Sequence, residues 1–196
     1  NGLGAKLANI WSAKFVVHLC DGTKTYRQQF TQNMKKVGKA SVRDAKPGST
    51  SYTKITVFPD FQKLGIADGK IDESMQQLFT RRVYDIAATT ACTVKFGTKR
   101  VACHTLAKYA KMVAPDVPHI QYDTERWSIV LFPNFGSADT PSPPRIGFVN
   151  GIFCGGGTHI SHISNQVVKA VKTAMKKSTP TTSMINEALG LIVVST

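Results

Sequence analysis

The sequence predicts a mixed fold, α/β or α+β, on three observations. Helical and strand periods alternate along 196 residues, enough chain for one large core or two small ones. The stretch Arg145 to Lys177 reads as an apolar strand (Ile146, Phe148, Val149, Ile152), a glycine hinge (Asn150-Gly151, then Gly155 to Gly157) and a long amphipathic helix. Leu189 to Ser195, LGLIVVS, reads as a strand buried on both faces. In the helix, Thr158 is placed to cap the first turn. Ile160, Ile163, Val167, Val168, Val171, Ala174 and Met175 recur on one face, opposite Lys169, Lys172, Lys176 and Lys177.

Taken in order, Asn1 to Leu7 (NGLGAKL) is a glycine loop that feeds a helix carrying Leu7, Ile10 and Trp11. Backbone N–H groups beside glycines, at a positive helix end and next to Lys6, are what a polyphosphate needs. Phe15 to Cys20 and Lys24 to Phe30 form a hairpin through Asp21-Gly22. Gly38 to Ser51 turns polar, with Pro47-Gly48, and reads as a loop at a domain boundary, dividing the chain into 1–46 and 47–196. Tyr52 to Pro59 alternates as a strand. Asp72 then starts a helix with Met75, Leu78, Phe79, Val83 and Ile86 on its apolar face, and Arg81-Arg82 read as solvated or ion-paired charge. Thr93 to Val101 is a hairpin turning at Gly97-Thr98. A short helix through Leu106, Tyr109, Ala110 and Val113 stops at Pro115, and Ile120 to Phe132 is a further hairpin with Trp127, Ile129 and Leu131 on one face. Asn134 to Pro144 is a Pro/Ser/Gly-rich loop, and Ser178 to Thr181 breaks the long helix.

Composition narrows the function classes. Lys and Arg number 25 against 12 acids, a net charge of +13, which favours a polyanionic partner such as nucleic acid. No apolar run approaches the ~20 residues of a membrane span, and the N-terminus lacks the charged-then-apolar order of a signal peptide, so no membrane partner is expected. Cys20, Cys92, Cys103 and Cys154 contain no CxxC pair, which argues against a zinc ribbon or a disulfide scaffold and reads as reduced, intracellular thiols. Cys154, His159 and His162 lack a fourth ligand, so no metal site is expected there.

NGLGAKLANIWSAKFVV, SYTKITVFPDFQKLGI, the RRVYDIA helix, GFVNGI, GGTHI and NQVV, in that order, resemble the ATPase region of eukaryotic-type (type IIA) DNA topoisomerase II over nearly the whole chain. The first looks like the family's GxNGxGAKLxNIFS phosphate loop, and the others look like its transducer domain. The resemblance implies an α+β fold: the C-terminal part of a GHKL ATPase αβ sandwich (1–46), then a transducer domain (47–196) containing a βαβ unit with a left-handed crossover, against the usual handedness. It implies that Asn1, Gly2, Leu3, Gly4, Ala5 and Lys6 bind ATP phosphates. Lys176 and Lys177 fall near a lysine cluster that faces DNA in the family, and Lys169 and Lys172 join them by charge. ATP and Mg2+ are the implied cofactors of the intact enzyme, double-stranded DNA and a homodimer mate the implied partners, and the nucleus the implied location, or a mitochondrial or viral compartment.

The chain begins without Met and inside a motif, so it reads as a piece of a longer protein. The family's catalytic glutamate precedes its glycine loop and its switch lysine follows the last strand. With both outside this sequence, the piece alone is not expected to hydrolyse ATP. FCGGGTH also lacks the lysine the family often has before its GG turn. Two alternatives stand beside this reading: a nucleic-acid-binding module without nucleotide chemistry, and another GHKL ATPase such as a mismatch-repair protein.

Overall fold

A computed structural model describes residues 2–133, 144–175 and 179–196, and places five helices and twelve strands among them. The chain divides into two compact units, Asn1–Asp72 and Glu73–Thr196. In the first, helix α1 (Gly4–Ile10) leads into β1 (Ser12–Cys20), β2 (Lys24–Thr31), β3 (Lys36–Val37), β4 (Ser41–Asp44) and β5 (Tyr52–Pro59). The sheet order is β3-β2-β1-β5, with β4 pairing along the same edge of β2, and the pairs are antiparallel.

The expected boundary at 46/47 is corrected here. Tyr52–Pro59 pairs with β1 along its length, so it belongs to the first sheet, and the polar stretch 38–51 holds strand β4 and an in-sheet connection. Polar, Pro/Gly-rich composition marks a surface turn, and a turn inside a sheet has the same composition as a linker.

The β1–β2 turn is fastened by one carboxylate. Asp21 Oδ1 accepts from the Lys24 N–H at 2.7 Å and from the Thr23 N–H and hydroxyl, each at 2.8 Å. Those donors, the Lys24 N–H foremost, pull its pKa down to about 2. Asp60 is lowered too, by the Lys63 N–H first and then the Asn33 side chain. A carboxyl whose folded pKa is depressed adds stability that is present above its unfolded pKa and lost as pH falls through the folded one. Asp21→Asn is therefore expected to lower Tm at neutral pH, with the gap to the parent protein closing between about pH 4 and pH 2. Thermal melts across that range check it, and a gap independent of pH contradicts it.

In the second unit, α2 (Glu73–Thr89), β6 (Lys95–Phe96), β7 (Lys99–Arg100), α3 (Leu106–Val113), β8 (Ile120–Asp123), β9 (Trp127–Pro133), β10 (Arg145–Val149), β11 (Ile152–Cys154), α4 (Thr158–Ala174), α5 (Thr182–Glu187) and β12 (Leu189–Ser195) follow in order. The main sheet runs β11-β10-β12-β9-β8. Among the described strands of this sheet only β10 and β12 pair in parallel, and they are joined through α4 and α5, which makes the βαβ unit.

β12 sits at the centre with both faces covered, as its unbroken apolar run requires. Ile192 and Val194 pack with Leu106, Tyr109, Ala110 and Phe148 on one side. Leu191 and Val193 pack with Ile129 and Ile160 on the other, where Trp127 and Leu131 join them. Each such fully buried aliphatic contributes about 1.5–3 kcal/mol of transfer free energy.

Three local expectations change. The apolar run 146–152 is a hairpin, turning at Asn150 (φ 51°) and Gly151 (φ 75°), and Ile152 is exposed on its outer strand. Gly157, rather than Thr158, occupies the N-cap of α4, with no side-chain cap bond. The α2 face of Met75, Leu78, Phe79 and Ile86 is exposed, and the helix buries Asp85 and Ala87.

Candidate functional site

The glycine loop precedes a helix with an open first turn. Gly2 has φ +65°, the left-handed region that glycine enters without a Cβ penalty. Leu3 is the N-cap and makes no side-chain cap bond, and α-helical geometry leaves the first-turn N–H groups without intrahelical acceptors. Gly2, Leu3, Gly4, Ala5 and Lys6 are all exposed, and a Cβ at Gly4 would meet nothing within 4 Å. No packing contact among the described residues therefore accounts for glycine at position 4. Its bare backbone leaves the N–H edge open to close approach by an anion, with the Lys6 ammonium on the same turn. These residues fit a polyphosphate. Asn1 lies outside the described residues.

The helix lysines are only partly brought together. Lys169 is exposed, Lys172 is half-buried with Nζ donating to Thr182 Oγ1 at 2.9 Å, and Lys176 and Lys177 lie outside the described residues. α4 is anchored by a polar cluster: Arg145 donates to Ser164 Oγ (3.0 Å) and to Asn186 Oδ1 (2.9 Å), and Ser164 Oγ donates to the same Asn186 oxygen (2.9 Å). This ties β10, α4 and α5 together.

Sequence reasoning missed the centre of the RRVYDIA segment. The buried carboxylate of Asp85 accepts from Tyr109 Oη at 2.6 Å and from Arg82 Nη1 at 2.8 Å. Arg82 also lies over the Phe153 ring at 4.4 Å, and Arg81 over the same ring at 5.3 Å. Burial, then the hydrogen bond and charge of Asp85, push the Tyr109 hydroxyl well above its ordinary pKa, so it remains a proton donor throughout the working range. An acid three residues after an arginine in a helix was the available signal for the pair. The tyrosine, 24 residues on, had none.

An open glycine loop leading into an antiparallel sheet, followed by a βαβ-containing sandwich, defines the fold class of GHKL ATPase regions with their transducer. The chain is homologous to the ATPase region of eukaryotic-type DNA topoisomerase II. It is 35% identical over 190 residues to the DNA topoisomerase 2 of Acanthamoeba polyphaga mimivirus, covering 90% of the chain and 14% of the relative. The ATPase region of Saccharomyces cerevisiae topoisomerase II superposes on all of the chain and 51% of its own length, with TM-score 0.88 and 26% identity. The ATPase and transducer domains of the Balamuthia mandrillaris enzyme do so with TM-score 0.89 and 25% identity, again over 51% of that chain. No family model matches. The alternatives of a nucleic-acid module without nucleotide chemistry and of a mismatch-repair ATPase are not favoured by these relatives.

Proposed function

We propose that the chain serves in the ATPase region of an ATP-dependent type II DNA topoisomerase, coupling ATP binding and hydrolysis to clamping of a DNA gate and passage of one duplex through another. The observation that carries this is the colinear match to topoisomerase II along 90% of the chain, with the open glycine loop at its start. The backbone N–H groups of residues 1–6 (Asn1, Gly2, Leu3, Gly4, Ala5, Lys6) hold the ATP phosphates, and Lys6 adds a full positive charge. ATP, with Mg2+ as its counter-ion, supplies the phosphoanhydride whose cleavage drives the cycle. The transducer βαβ unit turns occupancy of the nucleotide site into a two-state packing change. Lys169, Lys172, Lys176 and Lys177 face the duplex. The protein works as a homodimer, in a nucleus or another DNA-containing compartment. Among the described residues no helix is long and apolar enough to cross a membrane.

Lys6→Ala in the full-length protein tests the assignment. Loss of one charge-assisted contact of about 1.5–3 kcal/mol is expected to weaken ATP binding by roughly 10- to 150-fold and to slow strand passage. Unchanged nucleotide affinity and turnover would sink it.

A further inference from the structure

The net charge is not concentrated on α4. Residues 1–72 carry 12 Lys and Arg against 5 Asp, and the strand register shows where many of them go. Directly opposed residues in an antiparallel sheet project from the same face. One row across the first sheet is Lys54, His18 and Arg27; the next is Tyr52, Cys20, Thr25 and Arg43; a third, two rows away, is Phe58, Lys14, Thr31 and Lys36. Side-chain contacts confirm the shared face. Tyr52 Oη lies 3.1 Å from His18 Nε2, and Lys14 Nζ lies 5.2 Å from the centre of the Phe58 ring.

This face therefore presents Lys14, Arg27, Lys36, Arg43 and Lys54 with no Asp or Glu at any paired position. Four of the five are exposed and Lys14 is half-buried, and none is in an ion pair among the described residues. The one acid in these strands, Asp44, is on the opposite face, where it pairs with Lys24 at 3.1 Å. That opposite face also carries Phe15 and Phe30, their ring centres 6.4 Å apart, while on the basic face Val16 and Cys20 are buried between the cations. Like charges so placed repel one another, and among the described residues none of the five has an acidic partner within ion-pair distance.

We propose that the basic face of the first sheet is a second duplex-DNA contact, separate from the α4 lysines, which grips backbone phosphates without reading bases. The patch spans about 14 Å across four strands and about 20 Å along them. A duplex presents one phosphate per ~1.7 Å of its axis, so several cations find partners at once. Thr31 and Thr56 on the same face add neutral hydroxyl donors, the kind that bind phosphate oxygens. Tyr52 and Phe58 are already engaged by His18 and Lys14, which favours a duplex backbone over a stacked single strand. The proposal rests on the reading above that duplex DNA is the substrate.

The test is the salt dependence of duplex binding by the full-length protein. Three forms are compared: the parent, Arg27→Gln/Arg43→Gln/Lys54→Gln, and Lys169→Gln/Lys172→Gln. The triple variant is expected to lower the slope of log K against log salt by about 2.7, and to weaken binding on the order of 100-fold near 0.1 M salt. Thr56→Lys, a gain-of-charge variant on the same face, is expected to steepen the slope by about 0.9. It guards against loss of binding through misfolding. A triple variant and Thr56→Lys that both match the parent overturn this site and leave the DNA reading intact, with the α4 variant then carrying the loss. Tighter binding to single strands than to duplex also overturns it. Absence of duplex binding by the parent overturns the site and the DNA reading together.

Discussion

Arg82→Ala is expected to destabilise the second unit by about 3 kcal/mol. Asp85 is buried beside the core, and its carboxylate has two partners, the Arg82 guanidinium at 2.8 Å and the Tyr109 hydroxyl at 2.6 Å. Removing one member of a buried pair leaves the other charge uncompensated, which typically costs 3–5 kcal/mol. The Arg82 side chain is 41% exposed, so water already screens part of the attraction and the lower end applies. The variant also loses the guanidinium over Phe153, a contact on the order of 1 kcal/mol. Tyr109→Phe, which leaves the ion pair in place, is expected to cost less, about 1–2 kcal/mol. Urea denaturation of both variants checks the order. Equal losses would mean that charge compensation is not what holds α2 against α3 and β11.

How far the sequence was legible depended on whether the relevant signal is local. The centre of the second unit was, because LGLIVVS is apolar at consecutive positions and a strand covered on both faces has no other pattern. The hairpins at Asp21-Gly22 and Gly97-Thr98 were legible from turn chemistry. Asn150-Gly151 carried the same signal and was read as a hinge, because apolar residues on both sides looked like one strand. What failed was long-range. The pairing of Tyr52–Pro59 with β1 skips three intervening strands and 31 residues of chain, and composition does not report strand partners. The α2 helix misled through its own pattern: an apolar stripe predicts burial, yet Leu78 and Phe79 are exposed while Asp85 is buried, since a tyrosine and an arginine satisfy the carboxylate. In the glycine loop, residue types alone indicated phosphate chemistry, and the structure adds the open edge at Gly4. The basic face of the first sheet was invisible as a motif, because its cations come from five strands and align only through register.

Gly147→Ala is expected to destabilise the βαβ unit by about 3 kcal/mol. A Cβ there would lie 2.4 Å from His159 Nε2, 2.8 Å from Ile160 Cδ1 and 3.1 Å from the Cys154 carbonyl oxygen. The backbone has little freedom to yield, since β10 is paired on both sides, with β11 and with β12. The imidazole also packs closely on Gly157, where an added Cβ would lie 2.8 Å from its Cε1. The His159 ring is thus packed against both glycines, its Nε2 buried without a hydrogen-bond partner among the described residues. Inserting a methyl group into so close a contact forces off-rotamer side chains or a backbone shift, at a cost of about 1–3 kcal/mol and sometimes more. Shape alone would make the loss reversible by removing the ring. His159→Ala in the Gly147→Ala background is expected to recover at least about 1 kcal/mol relative to the sum of the single changes. Additive losses in a double-mutant cycle would show that Gly147 is needed for its backbone conformation, and that the imidazole is not what sets the distance between β10 and α4.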